Sequence, residues 1–503
     1  MRGVLSGSTF DVAVIGGGLT GAAVARDAAG RGLSVFLCEQ GDLASGGSSA
    51  TTKLAHGALD LMQSFQVGAM REAAAERAVL MRTAPHLVRP RRFLLPRHAR
   101  QWPALFTRLG LFAYDHAARD GLPASGVVDL KQEAAGEALH PHFETAFAYS
   151  DCVADDSRLA VLNAVDARTR GATIETRLRC TIAERDGGRW RLSLECVNTG
   201  DRPVVFARML VNAAGAAAGD VLNHIVHARH HVRVRAARAA HIVVRRPGRP
   251  NVAFALPAPD GQVVFAVPYD GDTLLLGPVR GPHRGDPNVA VVEPGEVAYL
   301  IDVAAQYFQA PVHPDDVVWA FASVTTLPED ASAARRGGAV LVDAPANVAP
   351  LVSVFGGSLT SYRLLAELAV DRMGKFRTLP TAWTEKEPLP GGAFPPEDFD
   401  AMVRTLRVAY PFLTQSHVER LVRAYGNRAS AILVGARLAG DLGRRYGADL
   451  TEAEVEFLTE TEWAESAEDI LWRRSKLGLS FSAAEAVALD RRLAGADATL
   501  APA

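Results

Sequence analysis

An almost wholly apolar run, Asp11-Val-Ala-Val-Ile15, stops abruptly at Gly16-Gly-Gly18-Leu-Thr-Gly21, and this junction constrains the fold more tightly than anything else in the chain. A short apolar run of this kind reads as a parallel strand covered on both faces. The alanine-rich stretch over 19–30 predicts a helix, and Leu33-Ser-Val-Phe-Leu-Cys38 predicts a second buried strand. Together they make one βαβ unit. Each glycine then meets a distinct physical demand. Gly16 permits a tight turn, Gly18 lets a pyrophosphate approach the backbone, and Gly21 lets the helix pack close to the strand. Phosphates would sit at the positive end of that helix. Glu39 closes the second strand, where a carboxylate accepts hydrogen bonds from a ribose diol and disfavours a 2′-phosphate. The unit predicts a dinucleotide site without choosing between a nicotinamide and a flavin.

The rest of the chain supplies the context. Its 503 residues, 48% hydrophobic and 22% charged, suffice for roughly two or three domains with substantial cores. With 54 basic against 56 acidic residues the formal net charge is −2, so no global field draws the protein to nucleic acid or an anionic bilayer. The first nine residues hold one arginine and no apolar run of signal-peptide length, and no stretch reads as a transmembrane helix. A cytoplasmic protein is the expectation. Cys38, Cys152, Cys180 and Cys196 are scattered without CxxC pairing, which predicts buried free thiols and no metal site.

Met70, Ala74, Ala78 and Met81 are spaced for a helix over 67–84, after which Pro85, Pro90 and Pro96 predict an irregular connection. The stretch 172–211 alternates in short β-like runs, with Gly187-Gly188 as a hairpin signal, and predicts an antiparallel crossover returning to the main sheet. An antiparallel meander is predicted over 240–279, with turns at Asp260-Gly261 and Asp270-Gly271. A Pro- and Gly-rich connector over 380–396 precedes a segment whose periodicity predicts an all-helical domain.

The segment Asp42-Leu-Ala-Ser-Gly-Gly-Ser-Ser-Ala-Thr-Thr-Lys-Leu-Ala-His-Gly57 resembles the flavin-contacting loop of the FAD-dependent respiratory glycerol-3-phosphate dehydrogenases. The resemblance continues through Ala84-Pro-His-Leu87, Gly110-Leu-Phe-Ala-Tyr-Asp115, Tyr149-Ser-Asp-Cys152, Asn212-Ala213 with Gly215, His241-Ile-Val-Val244, Ser353-Val-Phe-Gly-Gly357, Leu389-Pro-Gly-Gly392 and Ile470-Leu-Trp-Arg-Arg474. It implies an α/β fold: a glutathione-reductase-like FAD-binding Rossmann domain (8–90, 145–225 and 335–378), an inserted antiparallel β cap domain (91–144 and 226–334) and a C-terminal helical domain (385–495). It also implies oxidation of sn-glycerol 3-phosphate to dihydroxyacetone phosphate, with electrons passed to quinone; oxygen is the alternative acceptor. Peripheral contact with the cytoplasmic face of the inner membrane and a homodimer belong to the same set of expectations. Ser48, Ser49, Lys53 and His56 match the loop beside the flavin, and Gly215, Gly356 and Gly357 match further cofactor contacts. His241, Arg280 and Thr360 match the catalytic side.

The substrate half departs from the family pattern. The family's Gly-Gly-Leu-Arg-Tyr reads Gly57-Ala-Leu-Asp-Leu61, its Gly-Thr-Thr-Asp reads Gly277-Pro-Val-Arg280, its Gly-Val-Arg-Pro-Leu reads Ser323-Val-Thr-Thr-Leu327, and its Phe-Gly-Gly-Lys reads Phe355-Gly-Gly-Ser358. Phosphate is normally held by forked arginine contacts or by lysine, so Thr325 and Ser358 neutralise it poorly and Asp60 repels it. Asp60 and Arg280 are expected to form an ion pair of exchanged polarity, and Arg335 and Arg336 lie near a further family arginine. Two other readings follow: an FAD-dependent dehydrogenase or oxidase for a different polar alcohol or amine, and a catalytically degenerate flavoprotein. Arg420, Arg423, Arg428, Arg437, Arg444 and Arg445 are expected on a solvated face of the C-terminal domain, with anionic lipid or a partner subunit as the alternative.

Overall fold

A computed structural model of the protein describes residues 6–56, 67–97, 121–227, 233–246, 251–329 and 337–495. The strand Thr9–Ile15 (β1), the helix Leu19–Gly30 (α1) and the strand Val35–Cys38 (β2) form the predicted βαβ unit. Along β1, Val12 and Val14 enter one core while Ala13 and Ile15 enter another, and Val35 and Leu37 alternate in the same way with Phe36 and Cys38. This two-sided burial is why the strands read as continuous apolar runs rather than alternating ones.

An eight-stranded sheet is built around this unit, in the order Gly338–Asp343, Leu351–Gly356, Val204–Asn212, β1, β2, Thr173–Glu175. The hairpin of Leu178–Asp186 and Arg189–Cys196 joins it antiparallel to Val204–Asn212, the predicted crossover. Ile15 lies level with Cys38 on one side and Asn212 on the other, so the parallel strands end together. Ligands of open α/β sheets bind beyond such carboxyl ends. α1 packs on this sheet with the helices Asp156–Thr169 and Tyr362–Met373.

The second sheet has nine strands, in the order Val317–Pro328, Val234–Arg245, Thr273–Pro282, Val263–Pro268, Ala253–Pro257, Val88–Pro96, Thr145–Ala154, Leu54–Ala55, with Gly126–Asp129 added to Thr145–Ala154. The predicted meander forms its centre. Two corrections to the sequence reading arise here. The stretch over 88–96, read as an irregular connection, is a strand running from Val88↔Ala154 to Pro96↔Ala146. Pro90 stands opposite Cys152 in this strand, and among the described residues the neighbour on its other side pairs at Phe93 and Leu94. Thr145–Ala154, assigned by sequence to the dinucleotide unit, therefore belongs to the second sheet.

In the C-terminal part, the helices Phe399–Ala409, Gln415–Tyr425, Glu452–Glu462 and Ala483–Leu493 share one core. The part is not all-helical: Arg445–Gly447 pairs antiparallel with Leu450–Thr451, a two-stranded turn too short to show periodicity. Nor are its arginines all solvated. Arg420 binds Asp449 and Glu454, and Arg428 binds Glu462. The four cysteines are free and buried. Among the described residues no helix is long and apolar enough to cross a membrane.

Buried ion pairs clasp this C-terminal part to the first sheet. Arg473 reaches Asp42 at 2.6 Å and Arg474 grips the same carboxylate at 2.8 and 2.9 Å, while Arg158 of the helix Asp156–Thr169 pairs with Glu462. Burial alone would raise the Glu462 carboxyl, but Arg158, Arg428 and Arg474 pull it down to about 2. Removing one member of such a pair leaves the other charged and desolvated, at a cost of about 3–5 kcal/mol. Glu462→Gln is therefore expected to lower the urea unfolding free energy by about that much. In the parent protein the stabilisation is fully present above the ordinary glutamate value of 4.5 and is lost as pH falls toward about 2. Acid titration followed by tryptophan fluorescence should show this loss, and Glu462→Gln should flatten it.

Candidate functional site

A cleft of about 870 Å³ opens between the two sheets, over the carboxyl ends of β1, β2 and Val204–Asn212. On one wall lie Gly16, Gly18 and Glu39, joined by Ser48, Gly215 and the Gly356-Gly357 turn; on the other lie Ala239, His241, Arg280 and Thr325.

The first wall is shaped by close approach. A Cβ at Gly21 would stand 2.0 Å from the carbonyl oxygen of Gly16, so α1 lies on the turn after β1 with no room for a side chain. Gly16 itself has φ +111°, and a Cβ there would meet the Ala213 oxygen at 2.5 Å. First-turn amides of a helix have no intrahelical acceptor; here the Ser48 Oγ accepts from Leu19 N at 2.8 Å. The Glu39 carboxylate accepts from Gly17 N at 2.6 Å and from Gly41 N at 2.8 Å. Burial outweighs these bonds and raises its pKa. Two carboxylate oxygens can accept further bonds, so the bonds to Gly17 and Gly41 leave capacity for a diol.

The second wall presents His241. The sequence placed it at the start of a strand; it sits in the middle of Val234–Arg245, opposite Phe321, with the two rings stacked at 4.9 Å and 14°. On its other side the pairing with Thr273–Pro282 shifts register between Ala240 and Ile242. Such bulges re-aim side chains and cluster at active sites. Gly277 lies within this bulge, and a Cβ there would fall 2.5 Å from His241 Cδ2, so the imidazole fills the space that any other residue would occupy. His241 Nε2 is 3.1 Å from Thr52 Oγ1, while Nδ1 is buried without a hydrogen-bond partner among the described residues. Burial, then the nearby Lys53 and Arg280, lowers its pKa to about 3.

A scan against family models matches residues 11–372 to the FAD dependent oxidoreductase family and residues 382–495 to the C-terminal domain of alpha-glycerophosphate oxidase. The chain is 41% identical to a glycerol-3-phosphate dehydrogenase of Pseudomonas aeruginosa, covering 96% of this chain and 95% of that one. The chain belongs to the FAD-dependent glycerol-3-phosphate dehydrogenase family. It is 38% identical to the aerobic glycerol-3-phosphate dehydrogenase of Escherichia coli (94% and 95% covered) and 39% identical to the D-erythritol 1-phosphate dehydrogenase of Brucella abortus (95% and 97%). Its fold matches the glycerol-3-phosphate dehydrogenase of Bacillus halodurans complexed with FAD, with TM-score 0.75, 23% identity and coverage of 98% and 95%. Like the rest of this FAD-dependent oxidoreductase family, the protein depends on FAD, and the first wall fits that cofactor: a side-chain-free turn, a helix N-terminus and a buried acid in line.

Several residues that sequence assigned to direct contact lie elsewhere. Lys53 does not line the cleft; its ammonium is buried against Asp156 at 2.6 Å and bonds the Ser49 carbonyl, because a fully buried carboxylate needs a countercharge. Burial, then Lys476, brings Lys53 down to about 8 against the pull of Asp156. Thr360 is also buried behind the wall, where its hydroxyl donates to the His56 carbonyl at 2.9 Å. Two amides of the glycine turn are already engaged: Gly357 N donates to Gly337 O at 2.9 Å and Ser358 N to Ser361 Oγ at 2.9 Å. Ser49 lines the cleft, with its Oγ donating to the Gly46 carbonyl. His56, Gly215, Arg280, Thr325 and Ser358 do line the cleft. Asp60, Leu61, Arg335 and Arg336 lie outside the described residues, and the expected Asp60–Arg280 pair with them. Thr52 carried no role in the sequence reading, since only its contact with His241 distinguishes it from a loop threonine.

Overpacking of this kind costs about 1–3 kcal/mol. Gly21→Ala should therefore fold but lose bound FAD about tenfold or more, measured as flavin absorbance relative to protein absorbance after purification.

Proposed function

We propose that the protein oxidises the secondary carbinol of a short phosphorylated polyol to a ketone, sn-glycerol 3-phosphate to dihydroxyacetone phosphate being the first candidate. The observation that carries the reading is His241, locked by a bulge onto the wall opposite the FAD turns, with its Nε2 held by Thr52. FAD, when bound, supplies the hydride acceptor. The protein's own groups do the rest. Gly16, Gly18, Gly21 and Glu39 seat the dinucleotide, with Ser48, Ser49, Gly215, Gly356 and Gly357 around it, while Lys53 and Thr360 hold the loop behind. His241, uncharged before reaction, is the base for the carbinol proton. Arg280, a cleft-lining cation on the His241 side, holds the phosphate, assisted by the Thr325 and Ser358 hydroxyls and by His56. In this reading the first sheet and its helices are the FAD-binding domain, the second sheet is the cap, and 385–495 is the helical domain.

A second reading keeps the chemistry and lengthens the substrate. Threonine and serine at 325 and 358 are shorter than the arginine and lysine of the family pattern, which leaves room for a four-carbon polyol phosphate. The identity to a D-erythritol 1-phosphate dehydrogenase supports it. Quinone as acceptor, peripheral membrane contact and a homodimer are carried by the family resemblance alone.

Anaerobic addition of sn-glycerol 3-phosphate or D-erythritol 1-phosphate should bleach the flavin, with unphosphorylated glycerol leaving it oxidised. A flavin that dithionite reduces but neither ester does would defeat the proposal, and the ester that reduces it faster decides between the two readings. Because His241 is held at about 3 rather than the ordinary 6.5, it stays in its basic form as pH falls from the alkaline range to 5. The kcat/KM profile should therefore show no histidine inflection near 6.5, and one there that disappeared in His241→Asn would contradict the assignment.

A further inference from the structure

His241 is the base of the reading above, yet it is 1% exposed. Phe321 covers one face of the ring, the backbone of Gly277 closes the Cδ2 edge, and Nδ1 is walled in. Nε2 is the remaining polar atom, and Thr52 Oγ1 stands against it at 3.1 Å. Thr52 itself is half-buried and lines the cleft. Any carbinol in the cleft meets the threonine hydroxyl where it would otherwise meet the imidazole.

Resting on the proposed oxidation, we infer that Thr52 is a catalytic residue that relays the substrate proton to His241. With FAD bound to take the carbinol hydrogen as hydride, the O–H proton would pass to Thr52 Oγ1 and Thr52's own proton to His241 Nε2, leaving the ring protonated on both nitrogens. The alcohol loses two hydrogens and two electrons, a C=O bond forms, and Thr52 ends as it began. The relay requires Nε2 to be unprotonated at the outset, with the ring proton on Nδ1. The burial that holds His241 neutral satisfies this. A hydroxyl suits the position because it accepts and donates at one atom.

The test uses the FAD-loaded full-length protein and follows flavin reduction by rapid mixing under anaerobic conditions. Thr52→Val, similar in shape, should retain flavin and substrate affinity but reduce flavin about 100-fold more slowly, whereas Thr52→Ser should stay within a few-fold of the parent. A proton inventory in mixed light and heavy water on the parent protein needs no variant: two protons moving together give a curved inventory. A linear inventory, one proton in flight, means that Thr52 only orients His241 and overturns the relay. So does parent-like reduction by Thr52→Val, with the oxidation left intact. Failure of every polyol phosphate to reduce the parent's flavin overturns both, and is recognised because it appears before any variant is compared.

Discussion

The carboxylate of Asp42 holds the molecule together at the point where its parts meet. It lies three positions beyond Glu39, on the loop that carries Ser48 and Thr52, and it is buried with Arg473 and Arg474 closed around it. A desolvated charge of this kind is costly unless paired at good geometry, and a hydrophobic substitute would hold as well or better. What the pair adds is register. The carboxylate accepts from two guanidinium groups of one π-helical turn, Asp469–Arg474, so that turn docks in one orientation and fixes the loop beside the cofactor wall. Arg177 reaches Asp469 from the first sheet, and Arg158 meets Glu462 behind α1, so the C-terminal part is coupled to the sheet at several separate places.

The second sheet is tied to the same turn by apolar contact. Trp472, between Leu471 and Arg473, packs on Trp319 at 4.5 Å; Trp319 packs on Phe321 at 4.4 Å; and Phe321 stacks on His241. The residues that set the cofactor loop and those that set the histidine therefore share one short segment. The two walls are thus referenced to one segment, which fixes the geometry between them that transfer across a cleft depends on.

The first wall was legible in sequence because its demands are local. A turn without room for side chains, a helix start and an acid at the next strand end are each specified by residues close together in the chain, and Gly16, Gly18 and Glu39 line the cleft while Gly21 lets α1 approach it. The meander was legible through alternation and Asp-Gly turns. What escaped depends on partners remote in sequence. Pro90 reads as a break until Cys152, 62 residues away, is seen opposite it in the sheet. Lys53 reads as a ligand contact until Asp156, 103 residues away, claims its ammonium. Thr52 stands 189 residues from His241, and no spacing rule connects them. Thr360 reads as a catalytic residue, whereas its hydroxyl clasps the His56 backbone, since a hydroxyl's partner is a matter of rotamer rather than of composition.

The charges behind the cleft follow one logic. Lys53 lies 5.1 Å from the Phe321 ring, whose position is fixed by its stack on His241, so a cation stands one aromatic layer behind the base. Asp156 and the more distant Lys476, 3.5 Å from Asp156, complete a buried cluster in which neither carboxylate nor ammonium reaches the cleft. In a site of low dielectric this field disfavours a protonated His241 and favours negative charge on the cleft side. An alcohol being oxidised develops that negative charge as its proton departs. The arrangement thus trades basicity of the histidine for stabilisation of the alkoxide.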